Sequence, residues 1–80
     1  MIVKVKAALG LRFYLPNLAY LADGADLDVK DGSTVGEVLE KIHFPPGAAA
    51  ITFVNGRRAD QGRVLNVNDQ IYLAEPMAGG

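Results

Sequence analysis

A nucleophile, a general base or a metal cage needs particular side chains close together, and this sequence supplies few of them. His43 is the single histidine and there is no cysteine, so thiol nucleophiles, disulfides and thiolate metal sites are excluded together. Phe44-Pro45-Pro46 follows His43, so a helix has to stop there, and a polar ring at that point suits a C-terminal cap better than a metal ligand. Asp23, Asp26, Asp28 and Asp31 are crowded. They alternate with Leu27 and Val29 like the wet side of a strand, and they lack the loop frame and closing Glu of a calcium site. No metal site is expected. The nine glycines form neither G-x-x-x-x-G-K nor G-x-G-x-x-G, which leaves no phosphate loop. Arg57-Arg58, with Arg12 and Arg63, read either as a docking patch or as solvated charges. No nucleophile and base can be paired, so a self-sufficient enzyme is not expected.

The backbone offers one reactive group instead. Met77-Ala78-Gly79-Gly80 follows Pro76 at the end of the sequence. Two residues without Cβ can thread an extended chain through a narrow channel, where a larger side chain would block the way. A terminal carboxylate at Gly80 becomes an electrophile once it is activated as a mixed anhydride. The expected reacting residue is therefore Gly80, with Gly79, Ala78, Met77 and Pro76 as the segment a partner would grip.

Such a tail needs a rigid body behind it. The 80 residues suffice for one domain, with 50% hydrophobic and 21% charged side chains, a globular composition. The net charge of -1 gives no reason to expect nucleic acid or a membrane surface as partner. No apolar run reaches membrane-spanning length and no leader pattern opens the chain, so a cytoplasmic protein is expected.

Val3, Val5, Ala7 and Leu9 alternate with Lys4 and Lys6, the period of a half-buried strand. Residues 10–24 read as a loop around Pro16-Asn17, with room for a short helical turn and with Leu11, Phe13, Leu15, Leu18 and Leu21 packing it down. A second strand is expected from Ala25 to Lys30, closed by an Asp31-Gly32 turn. Thr34 and Glu37 form a capping box, and Val35, Val38, Leu39 and Ile42 make one helical stripe ending near His43. Ile51–Val54, an Asn55-Gly56 hairpin turn and Arg57–Ala59 come next. A last strand is expected at Gln70–Ala74, stopped by Pro76. The predicted architecture is an α+β roll: a mixed sheet of four to five strands on one main helix, with residues 1–75 as the domain and 76–80 as a flexible tail.

These stretches resemble a known family over essentially the full length. Val3-Lys4-Val5-Lys6, Leu11-Arg12 with Leu15-Pro16, Asp31-Gly32-Ser33-Thr34-Val35 with Leu39, Val54-Asn55-Gly56-Arg57 and Glu75-Pro76-Met77-Ala78-Gly79-Gly80 are similar to the β-grasp sulfur carriers of the MoaD/ThiS group. That group comprises relatives of the molybdopterin synthase small subunit and of the thiamine-pathway carrier, and it is more distantly similar to ubiquitin. The chain departs from the pattern at Val67-Asn68-Asp69, where relatives commonly have Asp-Gly-Asp. Asn is the next residue after Gly to accept a left-handed conformation, so the turn is expected to be kept. Glu75-Pro76 stands where many relatives have two prolines, and the chain is less acidic than is usual for them.

The resemblance implies that a ubiquitin-activating-like enzyme adenylates Gly80 with ATP and magnesium, the carrier itself binding no cofactor. A persulfide donor would then make the thiocarboxylate. The sulfur would pass to an acceptor enzyme such as a molybdopterin synthase large subunit or a thiazole synthase, the carrier contributing recognition and positioning. Two other readings share the same body: a ubiquitin-like modifier joined to lysines through Gly80, and a non-covalent interaction module.

Overall fold

The computed structural model describes residues 1–13, 21–45 and 50–76, with residues 12 and 13 described in backbone only. In chain order these residues form β1 (Ile2–Ala7), a 3-10 helix (Leu9–Phe13), β2 (Ala25–Asp28), the main helix α1 (Val35–Lys41), β3 (Ile51–Val54), β4 (Arg57–Arg58) and β5 (Gln70–Ala74). The strands make one five-stranded sheet in the order β2-β1-β5-β3-β4. Only β1 and β5 run parallel; the other neighbours are antiparallel. The mixed sheet on one main helix is the expected architecture.

Side-chain alternation and register together build the core. Ala25 pairs with Val5, Val5 with Ile71, and Ile71 with Val54, so four strands place one buried row side by side. Ala7, Leu73 and Thr52 make the next row. Val35, Val38 and Leu39 of α1 join the apolar members of both rows in a single buried cluster. Each fully buried Val or Leu contributes about 1.5–3 kcal/mol, so the two rows and the helix stripe supply most of the driving force. Leu11 and Leu21 are buried as expected for a packed-down loop. The Phe13 side chain, Leu15 and Leu18 lie outside the described residues.

Helix α1 has its terminal groups satisfied at both ends. The Glu37 N–H donates to Thr34 Oγ1 at 3.3 Å and the Thr34 N–H donates to Glu37 Oε1 at 3.2 Å, which is the predicted capping box. The two N–H groups left over in the first turn donate to carbonyls across the chain, Val35 to Arg63 at 3.0 Å and Gly36 to Gln61 at 2.9 Å. This also explains a glycine inside a helix, because a Cβ on Gly36 would stand 3.3 Å from the Gln61 carbonyl oxygen. At the other end Phe44 N–H donates to Leu39 O at 2.9 Å and His43 N–H donates to Glu40 O at 3.0 Å. These are the paired bonds of a Schellman motif. His43 takes the left-handed position with φ 61, where glycine is usual. It is exposed and acts as a cap, as its place before the prolines suggests.

One expectation fails at the end of β1. Leu9 is not on the buried side: it is 67% exposed. The strand ends at Ala7 because Ala8 N–H makes its bond to Leu73 O and Leu11 N–H then turns back to Ala8 O, starting the 3-10 helix and rotating Leu9 outward. Likewise β2 stops at Asp28 rather than Lys30, and β4 at Arg58 rather than Ala59.

Candidate functional site

Strand β5 is the element that sets where the C-terminal segment begins. It is central, with β1 on one side and β3 on the other, so its backbone is bonded along both edges. Leu73, wholly buried, anchors its far end. Ala74 is the last strand residue, and Glu75 and Pro76 follow as exposed residues. The Glu75 carboxylate lies over Gly10, in the space a Cβ there would occupy. Met77, Ala78, Gly79 and Gly80, with the expectation of an extended or disordered tail, lie outside the described residues.

The face of the sheet turned away from α1 is the second component. Its residues follow from register, because side chains alternate along each strand. Lys6 pairs with Tyr72, Tyr72 with Phe53, and Phe53 with Arg58, which gives a four-strand row of cation, aromatic, aromatic, cation. Tyr72 is 40% exposed and Arg58 is exposed. A shallow depression of about 190 Å³ beside Tyr72 is lined by Lys4, Lys6, Gly56, Gln70 and Ile71.

Charge on this face is sorted by strand. The carboxylates of β2 have partners: Asp26 faces Lys4 at 4.0 Å, and Asp28 faces the N-terminal ammonium at 3.4 Å. Among the described residues neither Lys6 nor Arg58 has an ion pair. Among these residues, the row through Tyr72 and Phe53 is therefore flanked by positive charge without an ion-pair partner.

The arginine pair that sequence puts together is split by the pleat. Arg58 belongs to the open face with Phe53. Arg57 pairs with Val54, a core residue, so its Cβ starts from the helix side at the sheet edge. Arg63 lies apart from both, its Nε donating to Val64 O at 3.3 Å. The Arg12 side chain is outside what is described. Tyr72 and Phe53 are the residues that sequence reasoning missed. The available signal was Tyr72 standing between the inward Ile71 and Leu73, an aromatic where a polar residue is usual.

Among the described residues no group of three or more His, Asp or Glu side chains is placed to hold a metal ion, and no helix is long and apolar enough to cross a membrane.

No protein-family model matches the chain, and no curated protein matches it in sequence. Solved structures do match it. SAMP1 from Haloferax volcanii is 19% identical over 100% of both chains, with a TM-score of 0.73. A protein from Pyrococcus furiosus assigned as molybdopterin converting factor, subunit 1, is 20% identical over 96% of this chain and 99% of that one, with a TM-score of 0.73. A further H. volcanii structure, small archaeal modifier protein 1, is 18% identical over 95% and 98%, with a TM-score of 0.71.

The fold is the ubiquitin-like β-grasp.

Within a β-grasp, the parallel β1–β5 pair places the first and last strands side by side at the centre of the sheet. The open face and the departure point of residues 75–80 are thereby parts of one strand: Tyr72 faces out two residues before Ala74.

Proposed function

We propose that this protein is a sulfur carrier whose reacting group is the carboxylate of Gly80. The observation that carries the reading is the central, doubly bonded β5, which releases the chain at Glu75-Pro76 four residues before Gly80. An extended four-residue segment spans at most about 13–14 Å, enough to bring a carboxylate into a partner's catalytic centre while the folded body stays outside. Gly79 keeps that approach narrow. The likeness along the whole chain to a modifier and to a protein assigned as a molybdopterin converting factor subunit supports the same reading.

On this reading the carrier brings no acid, base or cofactor of its own. A ubiquitin-activating-like partner joins the carboxylate to AMP, using ATP and magnesium and releasing pyrophosphate. A persulfide attacks the acyl carbon and displaces AMP. The carbon–sulfur bond so formed gives an acyl disulfide. A thiol then attacks the donor's own sulfur and breaks the original sulfur–sulfur bond, leaving the thiocarboxylate on Gly80 and a disulfide on the donor. The acceptor is an enzyme such as a molybdopterin synthase large subunit or a thiazole synthase, and the reaction sequence takes place in the cytoplasm. Partners dock on the Lys6–Tyr72–Phe53–Arg58 row with an apolar contact ringed by carboxylates, and Arg57, Pro76, Met77 and Ala78 add contacts at the edge and along the tail.

The test is ATP–pyrophosphate exchange with the activating enzyme from the same cells, beside a folding control. Deleting Gly80 or adding one residue after it shifts the carboxylate by roughly 3.3–3.6 Å. A misplacement of about 1 Å already costs on the order of a hundredfold, so exchange should vanish while the melting temperature stays unchanged. A chain lacking Gly80 that still supports exchange and sulfur transfer overturns the reading. The neighbouring modifiers favour a second reading, isopeptide conjugation through the same activated Gly80. The mass of the protein drawn from its own cells separates the two, as a sulfur-for-oxygen exchange or as lysine conjugates.

A further inference from the structure

The turn between β3 and β4 holds a chemical hazard together with the device that restrains it. Asn55 and Gly56 are exposed, with φ of 52 and 83, the two positive values of a type I′ hairpin turn. An asparagine followed by glycine is also the pair most prone to cyclise, because no Cβ shields the glycine nitrogen. Yet the Asn55 amide is held at both of its atoms. Its Nδ2 donates to Asp69 Oδ1 at 2.9 Å, and its Oδ1 accepts the Gln70 backbone N–H at 2.9 Å. The orientation of the amide is unambiguous, since a carboxylate offers only acceptors and a backbone N–H only a donor. Asp69 is itself buried, and its other oxygen accepts the Asn66 N–H at 2.8 Å.

We propose that Asn55 is a latent deamidation site and that Asp69 keeps it unreactive. In the reaction the Gly56 nitrogen gives up its proton and bonds to Asn55 Cγ. The bond from Cγ to the side-chain nitrogen breaks, and ammonia departs carrying that proton. Water then opens the five-membered imide to aspartate or isoaspartate, with no change of oxidation state. Attack needs Cγ and nitrogen about 3–3.5 Å apart and aligned. Swinging the amide onto Gly56 breaks both of its hydrogen bonds, one of them to a charged group, and leaves the buried Asp69 oxygen without that donor.

The product cannot restore the clasp. Aspartate at position 55 sets a carboxylate against Asp69 where an N–H stood. Isoaspartate adds a backbone carbon between Val54 and Arg57, which are paired. Either change removes the side-chain clasp between the hairpin turn and the start of β5, beside the paired Phe53 and Tyr72, and loosens the turn end of that pairing. Once lost, the contact ages the open face irreversibly, whichever partner that face serves.

The experiment follows deamidation at residue 55 by peptide mapping of the full chain at neutral pH. The same chain unfolded in urea gives the unrestrained rate. The native rate should be lower by about 10- to 100-fold, the factor that follows from one hydrogen bond to a charged group. Asp69→Ala should recover most of that factor below its melting temperature. Val38→Ala, which destabilises α1 without touching the clasp, should stay near the native rate. If Asp69→Ala does not fold, Asp69→Asn replaces it, since its single acceptor oxygen cannot serve both Asn55 and Asn66. A native rate equal to the unfolded rate overturns the proposal. So does an equal acceleration by Val38→Ala, because folding alone would then be the restraint.

Discussion

Leu73 and Tyr72 are adjacent on β5 and face opposite ways, so substituting each tests the assignment of faces independently of any partner. Leu73 is wholly buried between Ala7 and Thr52. Leu73→Ala removes a large buried side chain and leaves a cavity, which costs about 2–5 kcal/mol. At about 0.05–0.15 kcal/mol per residue, a chain of 80 residues has roughly 4–12 kcal/mol in total. Each kcal/mol moves the midpoint of a domain this size by about 4–8 °C, so the expected fall is about 8–40 °C. Tyr72→Thr keeps a strand-forming residue and loses cross-strand contacts to Lys6 and Phe53, each about 0.2–1 kcal/mol. Thermal unfolding followed by circular dichroism gives both numbers. The order of the two losses carries the test. If Tyr72→Thr costs as much as Leu73→Ala, the open face is buried in solution and the row cannot receive a partner.

The ends of α1 allow two smaller tests, both read as shifts in the denaturation midpoint. Thr34→Ala removes the acceptor of the Glu37 N–H and should cost about 0.5–2 kcal/mol, whereas Glu37→Gln, which can still accept from the Thr34 N–H, should cost less. His43→Gly relieves a left-handed conformation that costs an ordinary residue about 1–2 kcal/mol, offset by about 0.5–1 kcal/mol of glycine entropy. A small gain in stability is expected, and a clear loss would mean that the His43 ring makes a contact worth more than the strain.

What could be read in advance follows the range of the interactions involved. The capping box, the Asn55-Gly56 turn and the last strand depend on neighbours within a few positions. Each lies where its residues predict, and Asn68, standing for a glycine, takes φ 66. Leu9 escapes the pattern because alternation cannot say where a strand stops; that depends on the Ala8 N–H finding Leu73 O, a partner 65 positions away. The clasp was hidden for the same reason. Asp69 looks like an ordinary turn residue until register brings Asn55, 14 positions earlier, within 2.9 Å of it.

The open face shows how far pattern and topology must combine. The sequence marks Arg57-Arg58 as a pair, yet a strand sends consecutive side chains to opposite faces, so only Arg58 can share a surface with Tyr72. No local rule joins Lys6 to Tyr72 either; that needs the parallel pairing of the first and last strands. Once the pairing exists, one strand carries three consequences. Its inward residues hold the core, its outward Tyr72 centres the face proposed for partners, and its end sets where Glu75 begins. A partner that seats on Tyr72 thereby fixes the start of the tail to within a few residues of covalent chain, about 3.3 Å each. On the proposed reading, positioning of the Gly80 carboxylate depends on the six residues after Ala74 rather than on the body, so core substitutions should change stability and substitutions in residues 75–80 reactivity.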